Sequence, residues 1–407
     1  MYKVGVAEST IRIGKNINVR NFLYYLNSLD KCCILDEYKN SNKNVPAIIV
    51  SAGPSLDKNI EDMIKYRRKL KNFFIITGNR TAGALLKNNI IPDLIVTIDP
   101  GNIAEEMIAD AGISNIPNVY YEKSNWKIMN NYKGIKIVTS QEFLQRICKM
   151  HNLKRIATGG SVAHTCTDVA AFLGCSPIIF TGQDFGYTFE KCFSENAKFY
   201  SANTINEKST IYIEGIFDKY IKSDGLLKVY KDNMEIMIKD LKNIFNTDFI
   251  NCSYGAKIKG APYEDLKKVL RMAGSKNKQP IEDTNHICID KKEMISNLFL
   301  YIKKFINICD IYIENITEFE ITPNGIRAII EIINNKINEA EGKWIKDYFD
   351  IFTIDCCNKY FNFTISEYEA FGHDIHKQNK IYYEILNMLR STLTDVQKAY
   401  ETVLREI

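Results

Sequence analysis

The chain has 407 residues, a formal net charge of +4 and an apolar content of 45%, which is typical of a globular protein of two or three domains. Its basic residues are spread along the chain, so a nucleic-acid partner is not expected. The sequence contains no run of 18 apolar residues, so no membrane span is predicted. The start, Met1–Val6, lacks the order of a signal peptide, and we therefore expect a cytoplasmic protein.

Four segments follow from the changes in pattern along the chain. We predict a cap segment at residues 1–44, a catalytic domain at 45–271, a polar linker at 272–289 and a helical domain at 290–407. The second segment alternates short apolar runs with amphipathic stretches. This order predicts an α/β domain with a mostly parallel, doubly wound, Rossmann-like sheet.

The strands and helices of the second segment are predicted from hydrophobic periodicity. The apolar runs predicted as strands are 46–50, 73–77, 94–98, 119–121, 135–138, 177–180 and 248–251. The intervening amphipathic stretches predicted as helices are 57–70, 80–87, 103–111, 162–173 and 226–245. Residues 189–217 show no sustained period, and a stretch of this length is often a lid over a site.

The last segment carries three apolar stripes at helical spacing. Such stripes are typical of a bundle core, and the alternative is a partner-binding face. The stripe residues are Met294, Leu298, Tyr301, Ile302 and Phe305, then Ile326, Ile330, Ile333 and Ile337, then Tyr382, Ile385, Leu386, Leu389, Leu393, Val396, Tyr400 and Val403.

Small and polar residues follow the first predicted strand. Gly53 permits close approach of the backbone, and Pro54 stiffens the turn. Ser55 either caps the next helix or binds a phosphate. The tips of the next two strands carry Asn79, then Asp99 with Gly101.

A second glycine-rich turn, Thr158–Ser161, precedes the helix predicted at residues 162–173. The N–H groups at Gly159, Gly160 and Ser161 suit an anion, although Gly-Gly also occurs in such turns for packing alone. The strand that follows this helix delivers Gly182, Asp184 and Tyr187 to the same edge of the sheet.

Four tips that carry small or polar groups on one sheet edge predict a cleft for a nucleotide-type ligand. The chain contains no Gly-x-x-x-x-Gly-Lys-Ser/Thr, no Gly-x-Gly-x-x-Gly after the first strand, no His-Glu-x-x-His and no Gly-x-Ser-x-Gly. It also lacks an Asp-x-Asp pair, so we do not expect a sugar transferase of the common metal-clamping kind and assign no metal-binding residues. His373-x-x-His376 is a weak metal signal.

These motifs together resemble the Maf family, the motility-associated factor glycosyltransferases of bacterial flagella. The matching pieces keep their order over roughly residues 45–265, and the short N-terminal part is a departure from longer relatives. The pieces are Gly53-Pro-Ser-Leu56, Ile91-Pro-Asp-Leu94, Thr97-Ile-Asp-Pro100, Thr158-Gly-Gly-Ser-Val162, Leu173-Gly174, Thr181-Gly-Gln-Asp-Phe185 and Asn251–Gly260. The core is also distantly similar to bacterial sialyltransferases with a variant GT-A fold and to MptE-like pyrophosphokinases.

The Maf resemblance implies a CMP-activated nonulosonic acid, of the pseudaminic or legionaminic acid type, as the donor. It implies Ser or Thr hydroxyls of flagellin as the acceptor. No cofactor is required by this chemistry, and Mg²⁺ is an open possibility. Backbone N–H groups at Gly53–Ser55 and Gly160–Ser161 would stabilise the leaving phosphate, and Asn79 and Asp99 would hold the cytidine and ribose.

A base must accept the proton of the incoming hydroxyl. The distant sialyltransferases use a histidine after the mobile loop, and the corresponding stretch here, Asp218–Asp224, contains none. Asp184 is the first candidate for the base. The further candidates are Asp218, Tyr220 and His164. Tyr187 would face the reacting centre beside Asp184, and Arg155 would counter the carboxylate of the donor.

Two other functions stay open at this point. MptE-like enzymes share the core domain and transfer diphosphate from ATP to hydroxymethylpterin, but their chains lack a long helical tail. The second alternative is a non-catalytic flagellin-binding module in which the tail is the binding face. In the glycosyltransferase, the tail is predicted to hold the acceptor protein.

Overall fold

The computed structural model describes residues 20–110, 115–139, 154–197, 205, 209–272 and 277–284, with scattered positions from 296 to 405. Contacts divide the chain into two compact units. One comprises Ser28–Gln141 with Leu153–Cys288, and the other comprises Met1–Asn27, Glu142–Asn152 and Ile289–Ile407.

In the second of these units, residues 20–27 and the scattered positions from 296 onward are helical. The apolar stripes predicted for residues 290–407 lie outside the described residues. The predicted boundaries after residues 44, 271 and 289 remain predictions, as does the assignment of the tail to the acceptor.

The first unit is built on an eight-stranded parallel sheet, which confirms the predicted α/β fold class. The strands are β1 Cys33–Ile34, β2 Ala47–Val50, β3 Phe74–Gly78, β4 Leu94–Thr97, β5 Asn118–Tyr120, β6 Lys136–Val138, β7 Ile178–Thr181 and β10 Phe249–Asn251. Their order in the sheet is β1-β6-β5-β4-β3-β2-β7-β10. Two further strands, β8 Thr210–Glu214 and β9 Tyr220–Asp224, form a separate antiparallel hairpin.

Helices cover both faces of the sheet, and this explains why its strands are apolar without alternation. Along β2, Ile49 packs into a core cluster with the helix after the Gly-Gly turn, and its neighbour Ile48 packs into a second cluster on the other face. The helices are α1 Leu56–Lys65, α2 Asn79–Lys87, α3 Asn102–Asp110, α4 Trp126–Asn131, α5 Val162–Phe172, α6 Gly225–Phe245 and α7 Leu266–Met272.

The order of strands changes direction at β2. The chain proceeds from β2 through β3 to β6 on one side, whereas β7 and β10 lie on the other side. Connections that diverge from neighbouring strands leave a crevice at their carboxyl ends. The sheet therefore places its open crevice between the tips of β2 and β7, and the tips of β3 and β4 border it.

Several elements differ from the sequence-based expectations. The strand β1, which lies within residues 1–44 and pairs with β6, was not predicted. A strand of two residues is too short to show a period in the sequence. The stretch 189–217, expected to be irregular, contains β8, whose Ile213 is buried in the core. The helix predicted to end at Leu70 ends at Lys65 and continues as a 3₁₀ helix, Arg67–Asn72. Within the described ranges, no helix has the length and apolar character that crossing a bilayer would require.

Candidate functional site

A cavity of about 530 Å³ lies at the carboxyl edge of the sheet. This volume lies within the range of small-molecule sites. Its walls are formed by the tips of β2, β3, β4 and β7, together with the first residues of α2, α3 and α5. This cavity thus coincides with the crevice expected from the strand order, and residues from all four predicted tips line it.

The structure brings together about half of the residues singled out from the sequence. Those that line the cavity are Gly53, Asn79, Asp99, Gly101, Ser161, Gly182 and Asp184. Those that do not line it are Pro54, Ser55, Arg155, Gly159, Gly160 and Tyr187. The separation has physical causes, which differ from one residue to the next.

Ser55 follows β2 and Asp184 follows β7, and the two residues are hydrogen-bonded to each other at the place where the order of strands changes direction. One carboxylate oxygen of Asp184, Oδ2, accepts hydrogen bonds from the backbone N–H of Ser55 at 3.0 Å and from its hydroxyl at 2.7 Å. Both residues are buried. Burial raises the pKa of Asp184 to about 6, although the bonds from Ser55 act in the opposite direction. The N–H and hydroxyl expected to bind phosphate at Ser55 are therefore occupied by a carboxylate of the protein.

The glycines beside this pair are required by close packing of the protein itself. A Cβ on Gly53 would collide with the carboxylate of Asp184, and a Cβ on Gly182 would collide with the carbonyl of Ser51. Gly182 also has a φ of +62°, a conformation that glycine adopts without strain. These glycines let the tips of β2 and β7 approach each other.

The Gly159–Gly160 turn is explained in the same way. A Cβ on Gly159 would collide with the ring of His164, and one on Gly160, at a φ of +103°, would collide with the ring of Tyr230. The carbonyl of Gly159 accepts a hydrogen bond of 2.8 Å from Asn233. The turn thus packs against α5 and α6, and within it only Ser161 reaches the cavity.

The tips of β3 and β4 bring two polar residues, Asn79 and Asp99, to the wall of the cavity. The Asn79 carbonyl accepts a hydrogen bond of 2.8 Å from Thr97, while its Nδ2 is buried and has no hydrogen-bond partner among the described residues. Asn79 is only 5% exposed. Burial raises the pKa of Asp99, and the positive charge of Arg80 opposes this shift. An amide and a carboxylate therefore line the cavity at the tips of two neighbouring strands.

Arg80 is a cavity residue that the sequence reasoning missed. Its guanidinium lies over the ring of Phe193, 4.5 Å from the ring centroid, and burial lowers its pKa while Asp99 raises it. A guanidinium presents five N–H donors and suits phosphate or carboxylate. Its position directly after Asn79, in the first turn of α2, was the available signal.

Helix dipoles add to the positive potential of this cavity. The first residues of α2, α3 and α5 all line it, and the N-terminus of a helix attracts anions. At α5 the Ser161 side chain forms no capping bond with the helix. Together with Arg80, these termini favour a ligand that carries negative charge.

Tyr187, Arg155 and the remaining base candidates lie elsewhere. The Tyr187 hydroxyl donates to Asp224 at 2.6 Å, and Asp224 in turn caps α6. Burial raises the pKa of Tyr187 well above its ordinary value. Arg155, Asp218 and Tyr220 are exposed and do not line the cavity. His164 is buried directly behind Ser161.

Comparisons with known proteins agree with two of the resemblances read from the sequence, those to the Maf family and to MptE-like enzymes. The family model described as 6-hydroxymethylpterin diphosphokinase MptE-like matches residues 20–190. A solved structure of MAf glycosyltransferase from Magnetospirillum magneticum AMB-1 superposes with a TM-score of 0.63 at 13% identity, covering 95% of this chain and 60% of that one. No curated protein matches the chain at a significant level. The resemblance to Maf glycosyltransferases is thereby confirmed at the level of the fold.

Proposed function

We propose that this protein is a glycosyltransferase that uses a CMP-activated nonulosonic acid, of the pseudaminic or legionaminic acid type. Support for the reaction class comes from the fold shared with the MAf glycosyltransferase. Support for a nucleotide ligand comes from the cavity itself. One observation carries the proposal: the buried Nδ2 of Asn79 has no hydrogen-bond partner among the described residues, and Asn79 lines the cavity together with Arg80.

The base and the phosphate of the donor fit different parts of the cavity. Nδ2 of Asn79 would donate to the ring carbonyl or ring nitrogen of cytosine, and Asp99 would accept from the exocyclic amine or a ribose hydroxyl. Arg80 and the N-terminus of α5 would hold the phosphate and the sugar carboxylate. Each buried polar group would then find a partner of the opposite kind.

In the reaction, a Ser or Thr hydroxyl attacks the anomeric carbon of the donor. The bond between this carbon and the phosphate oxygen breaks, and CMP leaves with the electron pair. Arg80 and the helix N-terminus stabilise the charge that develops on the leaving phosphate. The leaving group then needs no resident metal ion, and transfer in the presence of EDTA tests that point.

Flagellin is the proposed acceptor, and the residues matched to the Maf family in the sequence are its support. The test incubates the protein with CMP-nonulosonates and flagellin and then measures intact mass. An increase by whole sugar units, mapped to Ser or Thr, is the expected result. Unchanged flagellin with every donor would overturn this assignment.

A diphosphokinase of the MptE-like kind is the second candidate function. The observation in its favour is the family match over residues 20–190, which includes the tips of β2, β3, β4 and β7. The same anion-binding groups would then hold ATP. Incubation with ATP and 6-hydroxymethylpterin separates the two candidates, because diphosphorylated pterin without any sugar transfer would favour this second function. The flagellin-binding module rests on the tail, outside the described residues.

A further inference from the structure

Ser161 and His164 form a hydrogen-bonded pair at the wall of the cavity. The Ser161 hydroxyl lies 2.8 Å from Nδ1 of His164, and Nε2 of the same ring lies 3.0 Å from the carbonyl of Tyr230. Nδ1 also lies 3.3 Å from the carbonyl of Ser161, which is farther than its distance to the Ser161 hydroxyl. A carbonyl only accepts hydrogen bonds, and the shorter of the two carbonyl contacts of the ring is the one at Nε2, so Nε2 carries the proton. In the neutral ring Nδ1 is then the acceptor, and Ser161 donates its hydrogen to His164.

His164 is held in this orientation from several sides. The ring is fully buried and meets the ring of Tyr230 edge to face, with centroids 6.4 Å apart. The absent Cβ of Gly159 leaves room for the ring, because a Cβ there would collide with it. Burial lowers the pKa of His164, which favours the neutral ring. The direction of the Ser161 hydroxyl is therefore fixed by residues of both α5 and α6.

This arrangement determines what Ser161 can bind. Its hydrogen is used by His164, so its oxygen has only acceptor capacity left for a group in the cavity. Phosphate and carboxylate groups of a donor substrate are acceptors themselves and do not match it. A hydroxyl group does match, because it donates.

We propose that Ser161, backed by His164, accepts the proton of the incoming hydroxyl, an inference that rests on the proposed glycosyl transfer. The hydroxyl proton passes to the Ser161 oxygen while the Ser161 proton passes to Nδ1 of His164. The acceptor oxygen bonds to the anomeric carbon, and CMP leaves with the electrons of the broken bond. The imidazolium keeps both protons bonded, one to Ser161 and one to the Tyr230 carbonyl.

Asp184, the first candidate from the sequence, fits this role less well. Its Oδ2 already accepts two hydrogen bonds from Ser55, and its Oδ1 is buried. Ser161, in contrast, is partly exposed at the cavity wall. Asp184 then acts as the support of the Gly53–Ser55 turn, and Ser161 is the catalytic residue that meets the acceptor.

Three variants test the pair in the full-length protein: Ser161→Ala, Ser161→Thr and His164→Asn. Asn at 164 keeps an acceptor for the Ser161 hydroxyl but takes up no proton. We expect Ser161→Ala and His164→Asn to lower kcat by about 10²–10³-fold, which is the usual contribution of general acid–base catalysis. Ser161→Thr keeps the hydroxyl and retains most of the activity. KM for the donor changes little in all three.

The outcomes separate this inference from the proposed function. A wild-type protein that transfers sugar, with a Ser161→Ala variant within about threefold of its kcat, would overturn the proton-accepting role alone. A wild-type protein that transfers no sugar from any CMP-nonulosonate would overturn the glycosyltransferase and this inference together. Ser161→Ala removes no helix-capping bond, so its fold, checked by circular dichroism, is expected to be intact.

Discussion

Ser55 and Asn79 follow adjacent strands of the same sheet edge, yet their polar groups are used in opposite ways. Ser55 gives both its N–H and its hydroxyl to Asp184, so this tip is closed by the protein. In Asn79 the side-chain carbonyl accepts a hydrogen bond, whereas Nδ2 has no partner among the described residues. A polar residue at a strand end therefore indicates a ligand only when the protein leaves it unpaired.

The largest expected effect concerns the closed tip and its pH dependence. Because the folded pKa of Asp184 is raised to about 6, this residue contributes stability that is fully present below about pH 4 and is lost as the pH rises through 6. Relative to Asp184→Asn, the wild type should lose up to about 3 kcal/mol in free energy of unfolding between pH 4 and pH 7. Urea denaturation of both proteins at several pH values measures the difference.

Asp57 provides a control of opposite sign. Burial raises its pKa, but hydrogen bonds from Ser194 and Asn196 outweigh burial and hold it below the ordinary value. The stability that Asp57 contributes is therefore present above about pH 4 and is lost as the pH falls. If Asp184→Asn and Asp57→Asn changed the pH dependence of the free energy of unfolding in the same direction, the raised pKa assigned to Asp184 would be wrong.

The tip of β3, where Nδ2 of Asn79 has no partner among the described residues, is called the open tip. It is tested first at Arg80. Arg80→Ala removes a guanidinium from the cavity and should weaken CMP binding by about 30–100-fold, the loss of one or two charge-assisted hydrogen bonds. Isothermal titration calorimetry measures the affinity. Arg271→Ala is the matched control, because its guanidinium also lies over an aromatic ring, that of Tyr66, but outside the cavity. Equal losses in the two variants would refute a specific role for Arg80.

A smaller effect is expected from Asn79→Asp, which exchanges the unpaired amide donor for a carboxylate. CMP affinity should fall by about tenfold, since one hydrogen bond to the base is lost and a second negative charge adjoins Asp99. The control is Asn118→Asp. The side-chain oxygen of Asn118 lies 3.0 Å from the same Thr97 hydroxyl, and its buried Nδ2 has no hydrogen-bond partner among the described residues, but Asn118 does not line the cavity. We expect Asn118→Asp to change stability and to leave CMP affinity as it is.

The smallest effect on the ligand is expected at Ser55. Ser55→Ala removes one of the two bonds to Asp184 and should lower the free energy of unfolding by about 1 kcal/mol. CMP affinity should stay within about twofold, because Ser55 is buried away from the cavity. A large loss of affinity with unchanged stability would reverse the contrast between Ser55 and Asn79.

The sheet was predictable from the sequence for a physical reason. Strands covered on both faces must be apolar throughout, and β2, β3, β4 and β7 appear as uninterrupted apolar runs. Their polar tips were predictable too, because each tip directly follows such a run. The strand β1 was missed because its two residues are too few to show a period. The hairpin β8–β9 was missed because only Ile213 and Ser223 of its strands are buried.

The sequence did not predict which polar residues of the site are paired within the protein and which are left for a ligand. It depends on contacts between residues far apart in the chain, such as Ser55 with Asp184 and His164 with Tyr230. The Gly-Gly turn looks the same in sequence whether it admits a phosphate or a histidine ring. Arg80 looks like an ordinary helix residue until the fold places it over Phe193 beside Asp99.

The central claim is that the carboxyl edge of the sheet binds a cytidylate through its open tip. A crystal structure with 5-iodo-CMP tests it most directly, because the anomalous signal of iodine locates the base independently of the protein. We predict the iodine in the cavity near Asn79 and Asp99, with the phosphate bonded to Arg80. An iodine peak outside the cavity, or none at saturating ligand, would contradict the account.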